Sequence, residues 1–220
     1  YVMVQEWKKK GLKLTRDYLN SLGKDIIYYP GVVSWFKIIN DYGESLVVKI
    51  EHYIISSGTL EIIEGSEIFK EFTAAYGCEF MYDEETKEAC WPSLSVNYTA
   101  KTQFYYRISK GVLARNDDNS LNAKSEKRRI PYTNMIYFGD GMTDIPCMIL
   151  AKNNGGTSIA VYQDGQKHKV SNLYEEDRVN FISLADYSEG SDLENIVKLG
   201  IQRIAVTDAL KRQESNLYNK

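Results

Sequence analysis

Two aspartates four residues apart, Asp140 and Asp144, stand in the run Gly139-Asp140-Gly141-Met142-Thr143-Asp144, directly behind the apolar segment Met135 to Phe138. Capping the helix that follows needs one acid. A second so close costs repulsion unless a cation or a lysine compensates. Hard carboxylate oxygens of this kind suit Mg²⁺. Two further polar clusters stand at element ends: Ser56-Ser57-Gly58, behind a run rich in β-branched residues, and Lys101, near a helix start. Ser56 and Ser57 also suit a plain turn, and Lys101 is also readable as one of many surface lysines. His52, inside an apolar run, reads as a packed or edge residue rather than a catalytic base. Cys78, Cys90 and Cys147 are odd in number, far apart and without a Cys-x-x-Cys pair, which speaks against a disulfide framework and a structural zinc site.

The elements that must hold these residues follow from periodicity. Residues 1–29 read as helical pieces with a loose stripe of Trp7, Leu12, Leu14, Tyr18, Leu19 and Leu22, stopped by Gly23. Pro30-Gly31 breaks the pattern before an amphipathic helix from Val32 to near Gly43. Leu46 to Ile55 has the β-branched richness of a buried strand, closed by Ser56-Ser57-Gly58. Thr59 is placed to cap a helix running to about Tyr76. A short strand, Cys78 to Tyr82, then pairs across the turn Asp83 to Thr86 with Ala89-Cys90-Trp91, and Pro92 ends that hairpin. A helix runs from Thr99–Lys101 to Lys110, a polar loop covers 111–131, and a strand at 135–138 leads to Asp140. Beyond it come a helix with Ile145, Met148, Ile149 and Leu150, strands at 158–161 and 181–184, and a closing helix from Leu193 to Leu210. Strands alternating with helices predict an α/β fold, a Rossmann-like, mostly parallel sheet with helices on both faces.

Composition excludes several classes. The chain has 220 residues, 43% apolar and 26% charged, with 27 Lys+Arg against 30 Asp+Glu for a net charge of −3. That length suits one sizeable domain, or a core domain with a small appendage. Mild acidity argues against nucleic acid as partner. The basic runs Lys8-Lys9-Lys10 and Lys127-Arg128-Arg129 have acids beside them and read as solvated surface. No stretch has the roughly 18 uninterrupted apolar residues of a membrane span, and the first residues lack a signal-peptide pattern, so the expectation is a cytoplasmic protein without a membrane partner. The chain opens on Tyr1, not Met, which raises the expectation that upstream residues are missing.

Taken together, the clusters resemble a known family. Gly139 to Asp144 behind its apolar strand looks like the fourth motif of the haloacid dehalogenase-like (HAD) hydrolase superfamily, especially its phosphoserine-phosphatase-like branch. Ile54-Ile55-Ser56-Ser57-Gly58 resembles the second motif, Lys101 the third-motif lysine, with Lys110 as fallback, and Pro30-Gly31-Val32 the exit from the cap domain. The resemblance spans most of residues 30–200. It implies a remnant of a helical cap at 1–29, a core at 30–210 with a hairpin insertion at 81–97 and the polar loop 111–131, and a polar tail at 211–220. It also implies a Mg²⁺-dependent phosphatase acting on a small phosphorylated metabolite. Asp140 and Asp144 would serve the metal, with Asp144 supporting its shell or holding the lysine. Lys101 would stabilise the phosphoryl group, and Ser56, Ser57 and Gly58 would bind phosphate. Gly139, Gly141 and Thr143 would support the loop; Thr143 stands where the branch often has Asn.

One part of the family pattern is missing. The nucleophilic aspartate belongs to an Asp-x-Asp motif ending the first strand, and no such motif follows an apolar strand anywhere in the chain. That strand would be flanked by the strands leading to Ser56 and to Asp140. Its loss would leave a gap about 10 Å wide, where neighbouring strands lie about 4.8 Å apart. Two expectations follow: a phosphatase whose nucleophile segment is absent from these residues, inactive as given, or a degenerate phosphate- or metal-binding or interaction module. Homo-oligomerisation is left open.

Overall fold

The computed structural model describes residues 2–124 and 128–218; Tyr1, residues 125–127 and residues 219–220, with Lys127 of the second basic run, lie outside it. In chain order the elements are α1 (Val2–Lys9), α2 (Arg16–Leu22), α3 (Val32–Ser45), β1 (Tyr53–Thr59), α4 (Leu60–Glu64), β2 (Ala74–Tyr82), β3 (Ala89–Leu94) and α5 (Tyr98–Lys110). They continue with α6 (Asp118–Asn122), β4 (Ile136–Gly139), α7 (Ile145–Asn153), β5 (Thr157–Tyr162), α8 (Ser171–Glu175), β6 (Phe181–Leu184) and α9 (Asp192–Tyr218). The protein is thus α/β and contains parallel strands. The described residues form two compact units: one joins the chain up to Ile27 with Glu51–Tyr105, the other joins Tyr28–Ile50 with the chain from Tyr106 onward.

In the first unit, the sheet order is β1-β2-β3. β2 does two jobs along its length: Ala74 to Tyr76 pair in parallel with Tyr53 to Ile55, and Phe80 to Tyr82 pair antiparallel with β3. Val4 of α1, Leu14 of the link after it and Leu19 of α2 pack with Ala89 of β3, and Trp7, Leu22, Ile62, Phe80 and Tyr82 extend this core. Ala89 N–H donates to Leu14 O at 2.7 Å, which ties the helical start of the chain to the hairpin. Beside it Glu61, fully buried, accepts from Tyr82 Oη at 2.8 Å and faces Arg16 at 3.7 Å, while its Oε2 has no hydrogen-bond partner among the described residues.

The second unit carries the all-parallel sheet β4-β5-β6, in register Ile136↔Thr157 and Ile159↔Phe181. β5 lies between its neighbours and is buried from Thr157 to Val161, as the apolar run predicts. Leu193, Val197, Ile201 and Ile204 give α9 its buried face. Gly31 has φ +78° at the start of α3, and a Cβ there would overlap the backbone of Tyr187 and Ser188, so only glycine fits this corner.

Several expectations need correcting. The strands form two three-stranded sheets rather than one, and β1 and β4 are each an edge of their own sheet. The β-strand begins at Tyr53, not Leu46. Residues 46–48 instead close α3: Val47 N–H donates to Glu44 O and Val48 N–H to Gly43 O, with Val47 at φ 59°. That is a Schellman ending with a β-branched residue in the left-handed position. The helix after Thr59 stops at Glu64, because α2 crosses so close at Gly65 that a Cβ there would overlap Asn20 O. Pro92 lies inside β3, which tolerates it as an edge strand. Residues 111–131 are not simply loop: Asp117 caps α6, accepting from Ser120 N–H at 3.0 Å. Finally, α9 runs through to Tyr218, so residues 211–218 are helical rather than a tail.

Candidate functional site

The second unit holds the paired aspartates. β4 ends at Gly139, the chain crosses Asp140 and Gly141, and a 3₁₀ turn, Met142–Asp144, leads into α7, whose start Pro146 suits. Asp140 is exposed, Thr143 half-buried and Asp144 only 5% exposed. A Cβ on Gly139 would lie 2.5 Å from Asp144 Cβ and 2.7 Å from Met148 Cε, so the strand end and the helix start touch at this glycine. Tyr137, buried on β4, donates from Oη to Asp144 Oδ1 at 2.6 Å. Burial, and then the neighbouring Cys147 and Asp144, push the Tyr137 phenol far above its ordinary pKa, so it stays protonated and donating.

An aromatic group flanks the same strand. Trp35 of α3 meets Phe138 edge-on at 6.2 Å and Tyr187 at 5.1 Å, and Tyr29 stacks on Tyr187 at 6.4 Å. Burial, with Tyr29 and the Asp140 carboxylate adding to it, raises the Tyr187 phenol to about 12.

The first unit carries the serine cluster and the lysine. Ser56, Ser57 and Gly58 lie within the last residues of β1 rather than in a turn beyond it; Ser56 is half-buried, Ser57 and Gly58 exposed. Gly58 N–H donates to Ser56 Oγ at 2.9 Å, and the Cys78 thiol donates to Ser57 O at 3.3 Å. The register slips between Ile55 and Thr59, a bulge at the serines. Lys101 is no surface lysine: it is 5% exposed in the first turns of α5. Burying an ammonium is costly without compensation, so this position is specialised. Lys110, the fallback, donates from Nζ to the carbonyls of Leu121 and Ala123 at 2.6 and 2.7 Å.

The sequence reveals the loop but not all of its support. Tyr137 is legible from alternation along β4: residues 137 and 139 share a face, and Gly139 abuts Asp144. Arg107, 1% exposed, gives no comparable signal; it binds Ala114 O, Arg115 O and Asp118 and anchors the segment after α5. His52 is packed, as its apolar neighbours suggest, and burial lowers its pKa against an opposing pull from Glu71. None of the three cysteines forms a disulfide among the described residues. No helix among the described residues is long and apolar enough to cross a membrane.

The donor set allows only an open metal site. Among the described residues no three His, Cys, Asp or Glu side chains gather around a common point. Mg²⁺ commonly takes one or two carboxylates and completes its octahedron with water and phosphate oxygens, so exposed Asp140 fits such a role and a closed protein cage does not.

No family model matches the chain. A Borreliella burgdorferi protein described as an uncharacterized protein is 28% identical over 196 residues, covering 80% of this chain and 67% of that protein.

Proposed function

We propose that this protein is a haloacid dehalogenase-like, Mg²⁺-dependent phosphomonoester hydrolase acting on a small phosphorylated metabolite in the cytoplasm, and that these 220 residues are competent only once an Asp-x-Asp strand is supplied. Under this reading the fold is Rossmann-like and the first helices are the remnant of a cap. The observation that carries it is the pair of open edges. The resemblance requires the nucleophile strand to lie beside the strands ending at Ser56 and at Asp140, and both of these, β1 and β4, are edge strands among the described residues, as β3 and β6 also are. Buried Lys101 adds support, since a phosphoryl group in transfer needs a cation held away from bulk water.

The roles then divide by chemistry. Mg²⁺ would neutralise phosphoryl oxygens, with Asp140 holding it. Lys101 would offset charge on the phosphoryl group and nucleophile. Ser56 would donate its hydroxyl hydrogen to a phosphoryl oxygen while Oγ still accepts from Gly58 N–H. Residues 139–144 would fix the loop.

The test is to extend the chain with the coding sequence upstream of Tyr1 and assay release of phosphate from an aryl phosphate. Mg²⁺-dependent release that is absent in the 220-residue chain and lost in Asp140→Asn is expected. A folded, extended protein without release, or an upstream sequence lacking Asp-x-Asp, would favour the phosphate- or metal-binding module.

A further inference from the structure

Asp144 occupies the N-cap position of α7, yet its side chain makes no capping hydrogen bond. A buried carboxylate that does not cap its helix is held by other partners, since burying its charge costs several kcal/mol unless it is well partnered. Its two oxygens face different surroundings. Oδ1 accepts the 2.6 Å bond from Tyr137 Oη, while Oδ2 lies toward Gly141, where an added Cβ would meet that oxygen at 3.8 Å. The ring that supplies the bond is itself fixed: Tyr137 is 7% exposed, in register with Ser158 of the central strand β5, and beside fully buried Cys147.

We propose that Tyr137 is a positioning residue for Asp144: its hydroxyl holds the carboxylate in one rotamer, so that Oδ2 faces the backbone around Asp140 and serves whatever cation that loop binds. This inference rests on the reading of residues 139–144 as a Mg²⁺ loop. An ordinary stabilising hydrogen bond would affect folding alone. A positioning bond affects cation affinity in a fold that is otherwise intact, and its effect vanishes once Asp144 no longer bears a carboxylate. Partners behind metal ligands commonly contribute about 10- to 100-fold in affinity, by the same logic.

The experiment titrates the 220-residue chain with Mn²⁺, read by electron paramagnetic resonance, for wild type, Asp140→Asn, Tyr137→Phe, Asp144→Asn and the Tyr137→Phe/Asp144→Asn double variant, with circular dichroism and melting temperature recorded for each. The expected result is binding by wild type, loss in Asp140→Asn, about tenfold weakening in Tyr137→Phe with the spectrum unchanged, and a double variant no weaker than Asp144→Asn alone. Unchanged Mn²⁺ affinity in Tyr137→Phe, or independent additive losses in the double variant, overturns the inference while leaving the metal loop standing. A folded wild type that binds no Mn²⁺ overturns the metal loop and the positioning role together.

Discussion

Gly139 shows how little freedom the aspartate loop has. Its missing side chain is what allows Asp144 Cβ and Met148 Cε to close on the end of β4. Gly139→Ala puts a methyl group into contacts of 2.5 and 2.7 Å against a helix start that is itself buried. Overpacking of this kind costs about 1 to 3 kcal/mol, so the urea midpoint of Gly139→Ala falls while the slope stays near wild type. An unchanged midpoint would mean that α7 moves aside freely. At this scale the sequence is informative wherever chemistry is unusual. Two acids bracketed by glycines stand out in any chain, whereas Tyr137, Glu61 and Arg107 are ordinary residues that become specialised only through what the fold places against them.

Elements are legible where periodicity is long and uninterrupted. The helices at 32–45, 98–110 and 145–153 and the strands β5 and β6 lie close to where the pattern puts them. The differences cluster where tertiary contact overrides local preference. An apolar run such as Leu46-Val47-Val48 reads as strand, yet these residues end a helix, because two carbonyls of α3 need partners there. Val47, 82% exposed, makes that ending in a left-handed conformation that costs an L-residue about 1 to 2 kcal/mol. Val47→Gly therefore raises the unfolding free energy by about 1 kcal/mol, measured by chemical denaturation. A loss of stability would show that the valine side chain contributes packing its exposure does not suggest.

For the molecule as a whole, pH offers a direct probe of the packing at β1. His52 precedes that strand, its carbonyl accepts from Thr73 N–H at 2.8 Å, and burial depresses its pKa. A histidine with a lowered folded-state pKa binds fewer protons than the unfolded chain does, so it imposes no penalty above the unfolded value of about 6.5 and a growing one as pH falls through it. The loss levels off below the folded pKa. Melting temperature should therefore drop between about pH 7.5 and 5.5 more in wild type than in His52→Gln. Parallel slopes would place the acid sensitivity elsewhere. The division into two sheets is the feature that sequence could foretell only through the family resemblance. Composition allows a single domain, and no local pattern reveals that a strand is left open on one side.

The packing around Trp35 also makes the molecule its own optical instrument. That indole is 6% exposed and meets edge-on the ring of Phe138, two positions before Asp140 in the chain. Trp91 is 55% exposed and, like Trp7, lies in the other unit, so a Trp7→Phe/Trp91→Phe chain would emit from Trp35 alone. Shifts in its wavelength or quenching then follow the aspartate loop in real time, without a dye, a substrate or a turnover event.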